Sequence, residues 1–141
     1  MNIDHVVLWV EDQNRSLAFY ADVLGLEPVR AQEFADGKTS FPSVRLNEQT
    51  IIDLMHRRQV SFVRTFTGGG DESGGTPVNH VCLALDALEH ASLLARLAAH
   101  GVELKSGGEN AFGARGHAAR SDYFCDPDGN VLEVRYYKPT S

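Results

Sequence analysis

Two histidines occupy matching places in this sequence. Ile3-Asp4-His5-Val6-Val7-Leu8-Trp9-Val10 and Val78-Asn79-His80-Val81-Cys82-Leu83-Ala84-Leu85 each run apolar, polar, His, then a strand-like stretch. Two carboxylates match in the same way, because Ile51-Ile52-Asp53-Leu54 aligns with Val131-Leu132-Glu133-Val134. Neutral imidazole and carboxylate suit Fe(II), Mn(II), Zn(II), Ni(II) or Co(II), and two His with one acid on one side of an ion leave positions open for substrate. A single His near a strand start is ordinarily a hydrogen-bonded residue of surface or core, and an edge Glu ordinarily meets water. Recurrence of both at the same repeat position sets His5, His80, Asp53 and Glu133 apart. Asp is one methylene shorter than Glu, so Asp53 reads either as a fourth ligand or as a proton-transfer base beside the ion.

Bringing these groups to one surface requires strands. Alternation puts His5, Val7 and Trp9 on one face and Val6, Leu8 and Val10 on the other, and the wholly apolar face should meet a helix. By the same arithmetic His80, Cys82 and Ala84 oppose Val81, Leu83 and Leu85, while Val131, Glu133, Arg135 and Tyr137 oppose Leu132, Val134 and Tyr136. If both sheets curl their open faces inward, the imidazoles and carboxylates converge on one cavity.

A helix is expected behind each first strand. The first is capped by Asp12 or Asn14, carries the stripe Leu17, Tyr20, Ala21 and Leu24, and stops at Gly25. The second opens on a capping box of Asp86 and Glu89, carries Leu94, Leu97 and Ala98, and stops at Gly101. His90 and His100 fall outside that stripe and, with His117, are expected in solvent. Three strands follow each helix: 27–33, 40–46 and 49–56, then 102–106, 120–124 and 130–137. The expected fold is α+β, one domain over 1–141 of two βαβββ modules, about 1–66 and 78–137, forming a cupped mixed sheet around a metal and substrate cavity. The Gly-rich stretch 67–77 between them reads as a linker, since no GK[ST] follows it. The loop Ser106–His117 reads as padding or a substrate lid.

Composition narrows the classes. With 141 residues, 43% hydrophobic and 23% charged, the chain is an ordinary globular one. At this size folding buries roughly two-thirds of the unfolded surface, so a core needs no metal or disulfide staple and any metal would serve function. A net charge of -6 with scattered basic residues argues against nucleic acid. Cys82 and Cys125 form neither a CxxC pair nor a disulfide framework, which fits a reducing, cytoplasmic setting. No apolar run is long enough to span a membrane, and the start lacks the order of a signal peptide, so the mature protein is expected to begin near Met1.

Four segments carry a family resemblance: Asp4-His5-Val6-Val7-Leu8, Ser16-Leu17-Ala18-Phe19-Tyr20-Ala21-Asp22-Val23-Leu24-Gly25-Leu26, Asn79-His80-Val81 and Tyr123-Phe124-Cys125-Asp126-Pro127-Asp128-Gly129-Asn130-Val131-Leu132-Glu133-Val134. Over nearly its whole length the chain resembles the vicinal oxygen chelate superfamily, the glyoxalase, bleomycin-resistance and extradiol-dioxygenase group. The resemblance implies a divalent metal held by His5, His80 and Glu133, often with a fourth ligand at Asp53, and a homodimer in which His5 could ligate across the interface. It implies an enzyme of lyase, isomerase or thiol-transferase type acting on a small metabolite or xenobiotic. Asp53 stands where glyoxalase I has a longer acid. Arg115, Tyr123 and Arg135 are candidates for gripping an anionic substrate. Two alternatives accompany this reading: an extradiol ring-cleaving dioxygenase using Fe(II), and a non-catalytic bleomycin-resistance-type protein, for which the acidic charge and Trp9 on the cavity face speak.

Overall fold

The computed structural model describes residues 3–61, 78 and 80–139; the expected linker, 67–77, and Asn79 lie outside them. The chain divides into two units, Met1–Pro77 and Val78–Ser141.

In the first unit β1 (His5–Val10) leads into α1 (Gln13–Ala18), which continues as a π-helical turn over Phe19–Val23. Asp12 caps α1, its carboxylate accepting from Arg15 N at 3.0 Å, and Gly25 at φ 75° supplies the left-handed exit that a side chain would resist. Ser16, Tyr20, Val23 and Leu24 are buried, so the inward stripe agrees with the expected one at Tyr20 and Leu24. Buried Gln13 ties this helix to the sheet, its Nε2 donating to Leu54 O at 2.8 Å and Ser40 O at 3.0 Å. β2 (Glu27–Val29), α2 (Ala31–Ala35), β3 (Ser43–Asn47) and β4 (Thr50–His56) follow. The strand expected over 27–33 stops early because Arg30 turns to φ 58°, and the chain coils into α2 instead.

The sheet order is β1-β4-β3-β2, with β1 and β4 parallel and the other pairs antiparallel. Leu8, Val10, Val44, Ile52 and Leu54 are buried, which makes the apolar face of β1 and β4 the core. Burying each such side chain stabilises by roughly 1.5–3 kcal/mol, which fixes the strand register and hence which residues face away.

The second unit repeats this plan with β5 (Val81–Ala84), α3 (Ala87–Ala99), β6 (Lys105–Gly108), β9 (Arg120–Cys125) and β10 (Val131–Tyr136). Its order is β5-β10-β9-β6, with β5 and β10 parallel. Between β6 and β9 the loop read as padding or lid holds a small hairpin, β7 (Phe112–Gly113) and β8 (Gly116–His117). The turn before β10 is locked by Asp126, whose Oδ1 accepts from Asp128 N and Asn130 N while Oδ2 accepts from Asn130 Nδ2. The expected βαβββ order thus stands in each unit, and the fold is α+β.

The α3 capping box is present: Asp86 Oδ1 accepts from Glu89 N at 2.8 Å, and Glu89 Oε2 accepts from Asp86 N at 3.0 Å. The buried face is His90, Leu93 and Leu97, displaced from the expected Leu94, Leu97 and Ala98. This corrects the placement of His90 in solvent. The residue is 2% exposed, with Nε2 lying 3.1 Å from Asp122 Oδ2. Asp122 sits on the helix-facing side of β9 opposite Val134, and a buried carboxylate there requires polar company, which His90 and Arg120 provide. His100 and His117 are exposed, as expected. Among the described residues no helix is long and apolar enough to cross a membrane.

Candidate metal and substrate site

In the first unit Val7 pairs with Asp53 across the parallel ladder, so His5 sits diagonally before Asp53 on the same open face. His5 Nδ1 lies 2.7 Å from Asp4 Oδ1. That hydrogen bond is the main reason the imidazole pKa is raised above its ordinary value, with the Asp53 charge adding to it. It leaves Nε2 as the nitrogen with which His5 would bind an ion, since a ligating His commonly gives its other N–H to a carboxylate. Asp53 is 7% exposed and accepts from Ser43 Oγ, its cross-strand neighbour on β3. Trp9 shares this face and is half-buried.

The second unit repeats the diagonal. Cys82 pairs with Glu133 as Val7 pairs with Asp53, and His80 precedes Cys82 as His5 precedes Val7. Here the two side chains meet: His80 Nε2 is 3.1 Å from Glu133 Oε2. Glu133 is fully buried, and its Oε1 accepts from Arg135 Nε at 3.0 Å and from Nη2. Burial alone would raise its pKa, yet the hydrogen bonds and charge of Arg135 outweigh burial and hold the carboxyl below the ordinary range. Glu133 is therefore ionised at neutral pH. Burial pushes the Tyr123 phenol up, with the Glu133 charge adding to it, and pushes the Cys82 thiol up to about 11 in the same way. Tyr123 pairs with Glu133 on β9 and turns its ring edge to His80 at 5.6 Å between centroids.

These residues fit a divalent ion. Glu133 Oε2 is buried, and its nearest basic group is His80 Nε2 at 3.1 Å, so an anionic oxygen and an imidazole nitrogen face one another where a cation could be held. Ligands about 2.1 Å from a metal in adjacent octahedral positions lie about 3 Å from one another, which matches the spacing of Oε2 and His80 Nε2. Each unit supplies one His–carboxylate pair. Among the described residues no cluster of three or more His, Cys, Asp or Glu surrounds a single point.

The other expected residues divide. Tyr123 lies on the open face beside Glu133. Arg135 is committed to Glu133 and is nearly buried, its Nη1 reaching Ala111 O and Tyr137 Oη at 3.4 Å each. Arg115 is exposed on the β7–β8 hairpin, with Cζ 4.3 Å above the Tyr137 ring. Asp4 and Ser43, which hold His5 and Asp53, escaped the sequence reading. Adjacency to His5 was the signal for Asp4, whereas Ser43 is visible only through strand pairing.

The family described as Glyoxalase/Bleomycin resistance protein/Dioxygenase superfamily matches residues 2–134. The "Virulence protein STM3117" of Salmonella typhimurium is 27% identical, over 96% of this chain and 83% of that protein. Among solved structures, that protein superposes with a TM-score of 0.66. The Listeria monocytogenes fosfomycin resistance protein FosX, as a mutant complexed with Mn(II) and 1S,2S-dihydroxypropylphosphonic acid, superposes with a TM-score of 0.64 at 22% identity, covering 97% of this chain and 92% of that one. TnmS3, an antibiotic-binding protein from Streptomyces sp. CB03234, gives 0.66 at 17% identity, covering 98% and 97%.

Proposed function

The chain belongs to the Glyoxalase/Bleomycin resistance protein/Dioxygenase superfamily, and on that premise we propose that it is a metal-dependent, glyoxalase-like enzyme of lyase, isomerase or thiol-transferase type. His5, His80 and Glu133 are its metal ligands, with Asp53 as a fourth ligand or proton-transfer base. It acts in the cytoplasm, as a homodimer, on a small metabolite or xenobiotic that presents two neighbouring oxygens. The observation that carries the reading is the His–carboxylate diagonal built twice on equivalent strand registers.

A divalent ion bound by these groups supplies Lewis acidity, drawing charge from a developing enolate or oxyanion. The chain's own part is positioning and proton handling. Arg135 keeps Glu133 ionised and turned so that Oε2 meets His80. Asp4 fixes the tautomer of His5. Ser43 holds one oxygen of Asp53, and the other is offered to a substrate proton. Tyr123 and Trp9 line the open faces and orient the substrate.

Metal content per subunit, measured by plasma mass spectrometry on untagged protein purified without oxygen, tests the reading. Near-stoichiometric Mn, Zn, Ni or Co that disappears in His80→Ala supports it, and iron would point to the dioxygenase chemistry known in the superfamily. No metal, even after reconstitution, sinks it.

Two features favour a second reading, a drug-binding protein without catalysis: Glu133 is already paired with Arg135, and the fold is shared with an antibiotic-binding protein. Titrating bleomycin against Trp9 fluorescence checks it, with no quenching at micromolar drug counting against it.

A further inference from the structure

The guanidinium of Arg135, while gripping Glu133, turns its Nη1 into the space beside Gly113. A Cβ at Gly113 would overlap Arg135 Nη1 and Tyr137 Oη. Gly113 lies on β7, in the hairpin formed with β8, and the same hairpin strand end contributes Ala111 O as acceptor for Nη1 at 3.4 Å. One end of Arg135 is thus seated against hairpin backbone. Its other end, Nε and Nη2, grips Glu133 Oε1. The consequence at the far end is that Oε2, left out of the grip of Arg135, faces His80 Nε2 at 3.1 Å.

We propose that Gly113 and Arg135 form the positioning device for the Glu133 carboxylate, so that the seating of the β7–β8 hairpin sets how Glu133 Oε2 is presented beside His80. Arg135 is then a positioning residue and not a substrate clamp. The inference rests on the reading of Glu133 as a metal ligand, and it adds a dependence of metal affinity on a loop that touches no ligand. Physically, a buried guanidinium bound through two nitrogens to one oxygen restricts carboxylate rotation, and displacing it frees that rotation.

Three variants test it: Gly113→Ala, Arg135→Gln and, as a hairpin control away from the guanidinium, Ala114→Ser. In metal-free protein the Arg135 Nε–H resonance is followed by NMR, and Mn(II) affinity is measured by EPR, with circular dichroism reporting the fold. Gly113→Ala should move the Nε–H resonance and weaken Mn(II) binding by about 10- to 100-fold, Arg135→Gln should weaken it equally, and Ala114→Ser should change neither. If Gly113→Ala misfolds, Arg135→Gln carries the affinity test alone. An unmoved resonance in folded Gly113→Ala, or Mn(II) affinity retained in folded Arg135→Gln, overturns the proposal. Wild-type protein that binds none of Mn(II), Zn(II), Ni(II) or Co(II) would instead overturn the metal reading, while the NMR arm would still decide whether Gly113 controls the Arg135–Glu133 link.

Discussion

The Glu133 carboxylate is shared between a guanidinium on Oε1 and an imidazole facing Oε2, and this division has an energetic signature. Glu133→Ala removes the anion and leaves Arg135 buried with no charge partner, a change that typically costs about 3–5 kcal/mol. Glu133→Gln keeps an oxygen for Arg135 to donate to, so its loss should be closer to about 1–2 kcal/mol. Urea midpoints of the two variants separate these effects, and equal destabilisation would mean that the neutral oxygen contributes nothing once the charge is gone. The sequence told that Glu133 shares its face with Arg135, because they are two apart on a strand. That the arginine serves the glutamate was not legible: a strand pattern gives the direction of a side chain and not what it reaches. Ser43 and Asp53 are a similar case, made neighbours by the register of β3 on β4.

At the scale of elements, α3 and β9 enclose His90 with Asp122, Arg120 and the ring edge of Tyr136. Burial lowers the His90 pKa below its ordinary 6.5, although Asp122 works in the opposite direction. The unfolded chain therefore takes up a proton near pH 6.5 that the folded chain declines. Stability should be flat with respect to this group above pH 6.5 and fall as the pH drops beneath it. Replacing His90 with Gln should flatten that slope below about pH 6.5 in thermal melts, and an unchanged slope would exclude His90 as its source. The misplacement of His90 by the sequence pattern has a physical reason. The apolar stripe of α3 pointed to Leu94 and Ala98, yet the face that packs is set by Leu93 and Leu97, and position 90 lies on that face one turn earlier. Only the partner Asp122, far along the chain, makes an imidazole acceptable there. Capping signals, by contrast, are local, which is why Asp12, Asp86 and Glu89 were all legible.

For the whole molecule, the proposed ligand set makes both imidazoles necessary. His5→Ala and His80→Ala should each bring metal content close to zero while leaving the fold intact, since neither residue is buried. Full metal retention in His5→Ala would confine the site to the second unit, where His80 and Glu133 already meet. The order of elements in both units was readable because strand alternation, caps and turns are short-range signals. The parallel pairing of first and last strands is long-range, and it is this pairing that places each His diagonal to its acid.

That pairing also sets a timetable. In each unit the last strand to leave the ribosome is an inner one: β4 enters between β1 and β3, and β10 between β5 and β9. Those late arrivals carry Asp53 and Glu133. Each sheet stays open until its carboxylate strand is made, and within each unit the imidazole is synthesised long before the acid. Closing a parallel pair across so many residues is the slow part of building such a sheet. Each proposed His–carboxylate diagonal is therefore assembled only when the last strand of its own sheet is inserted.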